Sequence, residues 1–291
     1  MSDRYARALG ALLGTAVGDS LGDQLHLPAD HSSMVERRLP PAPWRWTDDT
    51  AMACSVLHVL VRYGEIDADA LAASFVAHYD VDRGYGRGVD TMMREIGNGA
   101  SLRELARSSF GGTGSWGNGA AMRVAPIGAW FSDDLVTAAW QADLSARVTH
   151  THPAGVAGAV AVAVAAAASP RCTPAELFAA VLDLVPAGDV REGIVTARDL
   201  PPSTSAVEAA GVLGNGRQIS AADTVPLALW LAARHLDDYP EAVWSAAAVA
   251  EDVDTMCAIV GGIVATRVGV AGVPREWRLA SEPLPDWLTT G

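Results

Sequence analysis

The sequence predicts an all-α protein. Three observations carry that reading. Apolar residues recur at three- and four-residue spacing along most of the chain, no segment shows the period-2 alternation of a half-buried strand, and some stretches are apolar on every side. In order, the spacing predicts helices over Tyr5 to Leu21, Thr50 to Tyr63, Asp69 to His78, Val89 to Ile96 and Leu102 to Ser108. Ala154 to Ala168 is apolar all round, so other helices must enclose it, with Pro153 in its first turn and Ser169-Pro170 at its end. Val225 to Arg234 and Thr255 to Val268 are buried helices of the same kind. Leu27 to Arg45, Pro186 to Gln218 and the tail after Arg275 are expected to be irregular, the tail packing as a C-terminal strap. No low-complexity linker interrupts the chain, so residues 1–291 are expected to form one domain.

Composition narrows the function. Half of the 291 residues are hydrophobic, enough for a large core, and the formal net charge is −13. Such acidity makes nucleic acid an unlikely partner. The chain holds no lysine, which excludes Schiff-base and pyridoxal-phosphate chemistry, a P-loop lysine and a kinase ATP lysine. Cys54, Cys172 and Cys257 lie far apart without metal-ligand spacing, which suggests a reducing, cytoplasmic setting. The 15 residues from Ala154 to Ala168 fall short of the roughly 20 that span a bilayer, so no membrane role is expected.

Four groups of residues could carry chemistry. Thr47-Asp48-Asp49-Thr50 and Asp252-Val253-Asp254-Thr255 each stand directly before an apolar helix. Either alone reads as helix capping. Together they bring four carboxylates and threonine hydroxyls to rigid helix starts, where burial without a cation is costly. An all-oxygen set suits Mg²⁺, Mn²⁺ or Ca²⁺ rather than zinc, and four carboxylates suffice for two ions. Two glycine-rich stretches, Gly84 to Gly88 and Gly114 to Gly119, read as plain turns or as phosphate cradles. His150 and His152 precede the alanine-rich helix; without a third nitrogen or sulfur ligand they suit a ribose or phosphate contact better than zinc.

These blocks, in this order, resemble the ADP-ribosylglycohydrolase family. The resemblance starts at Gly10 to Gly14 with Val17-Gly18-Asp19-Ser20-Leu21-Gly22. It continues through Thr47 to Thr50, Gly84 to Gly88, Gly117 to Arg123 and Thr149-His150, and ends at Asp252 to Thr255. Asp223-Thr224-Val225-Pro226 is a weaker match.

The resemblance implies a helical fold with a cleft holding two Mg²⁺ (or Mn²⁺) ions on Thr47, Asp48, Asp49, Asp252, Asp254 and Thr255. ADP-ribose would lie against Gly84, Gly86, Gly88, Ser115, Gly117, Asn118, Gly119, Met122 and His150. The implied activity is glycosidic cleavage between ADP-ribose and an acceptor, a modified protein side chain or a small molecule, through an oxocarbenium-like state. Asp48 or Asp49 would take the proton of the attacking water. Many members carry a glutamate four residues after the Gly-Asp-x-x-Gly block; here that position is His26, an alternative base. The alternatives are a non-catalytic, metal-dependent ADP-ribose or nucleotide binder on the same scaffold, and a phosphoesterase cutting the pyrophosphate. A monomer is expected.

Overall fold

The computed structural model describes residues 3–25, 36–96 and 99–288, which form fifteen α-helices and no strand. The first is α1 (Asp3–Leu25), and the next two named here are α2 (Asp48–Tyr63) and α3 (Ala68–Ala77). A 3₁₀ turn at Val81–Arg83 leads through the Gly84 loop to α4 (Arg87–Ile96) and α5 (Leu102–Ser108). Next come α6 (Ala125–Trp130), α7 (Leu135–Ala146) and α8 (Pro153–Ala168). The second half holds α9 (Pro174–Leu184), α10 (Asp189–Asp199), α11 (Ala206–Leu213), α12 (Ala221–Arg234), α13 (Tyr239–Ala247), α14 (Val253–Gly272) and α15 (Arg275–Ala280).

Pairing of α1 with α14 organises the core, and glycine makes it possible. A Cβ at Gly14 would lie 2.1 Å from Ala265 Cβ, one at Gly18 2.2 Å from Cys257 O, and one at Gly22 2.7 Å from Asp254 Cα. Side chains at these positions would force the backbones apart, so the stripe lets them run in contact. Tyr239 of α13 closes the same seam, donating 2.6 Å to Gly14 O. The 20 residues of α14 are long and apolar enough to cross a membrane, yet most of the helix is buried among α1, α13 and its other neighbours. The alanine-rich α8 is enclosed as expected, its residues Gly155 to Ala168 all buried.

One expectation needs correction. The segment Pro186 to Gln218 is not irregular: it carries α10 and α11. Val190, Ile194 and Ala197 give α10 a buried stripe, and Ser205 with Glu208 forms a reciprocal capping box that starts α11. The described part of the tail is a strap with one short α-helix, α15, and a 3₁₀ turn at Asp286–Leu288. Its continuation bonds Trp44 N to Ala280 O at 2.7 Å and Glu282 N to Trp44 O at 2.8 Å.

Candidate active site

Two helix starts and the middle of α1 meet at one point. Thr47 caps α2, its hydroxyl accepting from Asp49 N at 3.3 Å, so the capping interpretation holds for this residue. It does not hold for Asp252. That carboxylate makes no capping bond to α14; its Oδ2 accepts from Asn118 Nδ2 at 2.6 Å. The amide's other bond goes to Thr224 Oγ1 at 3.0 Å. Asn118, expected against the ligand, thus has its side-chain N–H groups engaged in holding Asp252.

Asp19, absent from the expected ligands although it stands in the Val17 to Gly22 motif, belongs to the site. Fully buried on α1, it accepts from Thr47 N at 3.0 and 3.2 Å, Thr47 Oγ1 at 2.8 Å, Thr50 N at 3.1 Å and Thr50 Oγ1 at 2.5 Å. It therefore fixes the start of α2 to α1. Oxygen atoms of Asp19, Asp49 and Asp254 lie within 4.8 Å of one another. Asp49 Oδ2 faces the hydroxyls of Thr47 at 3.1 Å and Thr255 at 3.4 Å. Asp49 Oδ1 is buried and has no hydrogen-bond partner.

The electrostatics follow from this crowding. Burial, then Asp254, raises Asp19 to about 7. Asp252 reaches about 7 for the same reasons. Asp48 and Asp49 are pushed well above the usual carboxylate range, by burial first and by their acidic neighbours second. Buried oxygens that repel one another, one of them unbonded, suit a hard dication and little else.

The carboxylates open into a cleft of about 380 Å³. Of the six expected ligands, Asp48, Asp49, Asp252, Asp254 and Thr255 line it, while Thr47 lies just beneath as the cap. Gly84, Gly86, Gly88, Ser115, Gly117, Asn118, Gly119, Met122 and His150 line the same cleft. His26 lies outside the described residues. Sequence reasoning missed Gln218 and Ile219, which form a wall. Their place is set by Asp223, whose Oδ2 accepts from Gln218 N at 2.8 Å, and by Asn118 N bonding to Ile219 O at 3.3 Å. Phe110 also lines the cleft, 4.8 Å from Trp116 between ring centres. Glu251 stays out of it. It faces a neighbouring hollow of about 290 Å³, shared with Asp23, and pairs with Arg217 at 3.8 Å.

Fold and site together define an all-helical protein with a carboxylate-headed cleft between two glycine-rich loops. The chain belongs to the ADP-ribosylglycohydrolase family, whose model matches residues 1–290. It is 31% identical to the ADP-ribosylarginine hydrolase Tri1 of Pseudomonas putida, over 93% of this chain and 73% of that protein. Identity to the ADP-ribosylhydrolase ARH3 of Homo sapiens is 29%, over 95% of this chain and 89% of the other. A solved structure titled ADP-ribosylglycohydrolase-related protein complex superposes with a TM-score of 0.64 at 26% identity, covering 97% of this chain and 94% of that one. This kinship supports hydrolysis of ADP-ribosyl groups as the general activity.

Proposed function

We propose that this chain is a dication-dependent hydrolase that cleaves the bond between the anomeric carbon of ADP-ribose and an acceptor, a modified protein side chain or a small molecule. The observation that carries the reading is the buried carboxylate cluster at the head of the cleft, with Asp49 Oδ1 unbonded. Asp48, Asp49, Asp252 and Asp254, with the hydroxyls of Thr47 and Thr255, offer oxygen enough for two Mg²⁺ or Mn²⁺ ions, and Asp19 stands within reach as a further donor. When bound, the ions would supply Lewis acidity and hold the ribose hydroxyls.

The residues do the rest. Asp48 or Asp49 accepts a proton from the attacking water as the new C–O bond forms at the anomeric carbon. The bond to the acceptor breaks, and the acceptor leaves with its electron pair and takes up a proton. Gly84 to Gly88 and Ser115 to Gly119 line the walls where the phosphates and the distal ribose would rest. Asn118 keeps Asp252 aimed, through its 2.6 Å bond.

The test is release of ADP-ribose from arginine-linked and serine-linked substrates with Mg²⁺, run beside Asp49→Asn. Wild type should release ADP-ribose and Asp49→Asn should lose at least about a hundredfold. Full activity in the variant would sink the assigned role, and AMP as product would mean pyrophosphate cleavage instead. Because His26 stands where many relatives are expected to carry glutamate, calorimetry with ADP-ribose belongs beside the assay. Metal-dependent binding without turnover would favour the binder.

A further inference from the structure

His150 sits in the cleft wall with its ring enclosed by backbone. A Cβ at Gly117 or Gly119 would come within 3.3 Å of its Nε2, so these glycines leave room for the imidazole as well as for a ligand. On the other side of the ring, Nδ1 lies 2.7 Å from Thr149 Oγ1. That hydroxyl is also bonded to Arg123 Nη1 at 2.9 Å. Arg123 is fully buried and has no carboxylate hydrogen-bonded to it among the described residues. Its remaining bonds go to Ser145 O at 2.7 Å, Gly119 O at 3.4 Å and Met52 Sδ, and the guanidinium lies 4.7 Å from the centre of the Phe75 ring.

Donor and acceptor counting fixes the protons. A guanidinium only donates, so Thr149 Oγ1 accepts from Arg123. The hydroxyl has one hydrogen of its own, and Thr149 is wholly buried. Among the described residues its only other hydrogen-bond partner is His150 Nδ1, so the hydrogen goes there. Nδ1 is then an acceptor, and the proton of a neutral ring must sit on Nε2. A doubly protonated ring would leave the hydroxyl hydrogen without an acceptor and add a second buried cation beside Arg123. Burial, followed by the Arg123 charge, accordingly lowers His150 to about 3.

We propose that Arg123 and Thr149 are positioning residues that lock His150 in its neutral Nε2–H form, making it a fixed N–H donor into the cleft for an acceptor oxygen of the ligand. His150 then neither removes nor supplies a proton in the reaction; it orients. Naming that oxygen as a phosphate or ribose oxygen rests on the ADP-ribose reading of the cleft, whereas the proton positions do not.

The experiment is a long-range ¹H–¹⁵N correlation on the full chain labelled with ¹⁵N-histidine, with His150→Gln identifying the resonance. Wild type should show Nδ1 unprotonated and Nε2 protonated, with Nε2 shifting when ADP-ribose and Mg²⁺ are added. Thr149→Ser should keep that pattern. Thr149→Val should lose the single tautomer and bind ADP-ribose roughly three- to tenfold more weakly, the worth of one oriented neutral hydrogen bond. A protonated Nδ1 in wild type, or an unchanged pattern in a folded Thr149→Val, would overturn the lock. The wild-type and serine spectra decide the matter even if the valine variant fails to fold. Absence of ADP-ribose binding alongside the expected ring pattern would overturn the ligand assignment and uphold the lock.

Discussion

Asp49 is only 1% exposed, and its neighbours Asp19, Asp254 and Asp48 all raise its proton affinity, after burial. The consequence for stability has a definite sign. Asp19 and Asp252 rise from 3.8 to about 7 on folding, so the metal-free folded state binds protons more tightly than the unfolded chain does. Their contribution to stability is full below the unfolded value and is lost as pH climbs through about 7. A dication competes with those same protons, so its stabilising effect should grow across that window. Thermal unfolding with chelator and with Mg²⁺, at steps between about pH 4.5 and pH 8, reads this directly. The melting temperature should fall with pH in chelator, and the gap to the Mg²⁺ samples should widen. A gap that does not change with pH would show that these carboxylates do not hold the ion. In chelator, toward the upper end of that window, Asp49→Asn should melt higher than wild type, because asparagine needs neither a buried charge among carboxylates nor a proton held above the unfolded value. Stability gained where activity is lost is what a functional carboxylate gives.

Between residues and the fold stands a tie of three segments at Arg83. Its guanidinium stacks on Trp46 at 3.4 Å, donates to Trp46 O at 2.9 Å, and grips Glu282 with two bonds of 2.7 and 2.9 Å. Trp46 precedes the cap of α2, Glu282 belongs to the C-terminal strap, and Arg83 leads into the Gly84 loop. Glu282→Ala breaks the strap's share of the tie and should cost about 1–3 kcal/mol, the range for hydrogen bonds between charged groups with little water access. The Gly84 loop is then held only by Arg83's contacts to Trp46 and Asp80, while the carboxylates keep their anchor through Asp19. KM should therefore rise several-fold with kcat within about twofold of wild type. Steady-state kinetics on whichever linkage is cleaved separates the two, and an equal loss in kcat would place the effect on the carboxylates through Trp46. Legibility differs sharply here. The Gly84 loop and the acidic helix starts are readable because glycine runs and capping patterns are local. The Arg83–Glu282 pair spans 199 positions and leaves no local trace. The helices α10 and α11 lie between: Val190, Ile194 and Ala197 mark one face and Ser205 with Glu208 a cap, but each helix is short and flanked by Pro and Gly residues that also suit loops.

For the molecule as a whole, the spacing of α1 and α14 sets the geometry of the cluster. Asp19 follows Gly18 on one helix, and Asp254 opens the other opposite Gly22. The four-residue repeat of Gly10, Gly14, Gly18 and Gly22 is visible in the sequence, but the helix it meets is not, since that partner begins more than two hundred residues later. For the same reason Asp19 is not legible in the sequence as a site residue while the helix starts are: its role depends on which surface α1 presents to α2. The four glycines are not equivalent. A Cβ at Gly18 would lie 2.2 Å from Cys257 O and 2.8 Å from Cys257 C, both backbone atoms that cannot rotate away. At Gly10 the nearest atom is Val270 Cγ2 at 3.7 Å, an ordinary contact. Gly18→Ala should therefore push the helices apart, costing about 1–3 kcal/mol or more, and weaken Mg²⁺ binding as Asp19 and Asp254 separate. Gly10→Ala should instead stabilise by about 0.4–1 kcal/mol, through the lower entropy of the unfolded chain, with Mg²⁺ affinity unchanged. Denaturant titration and Mg²⁺ calorimetry on the pair give both quantities. If Gly18→Ala lost stability but bound Mg²⁺ like wild type, the cation would be held by α2 and the start of α14 alone. Asp19 would then be a structural clamp on Thr47 and Thr50 rather than part of the ion site.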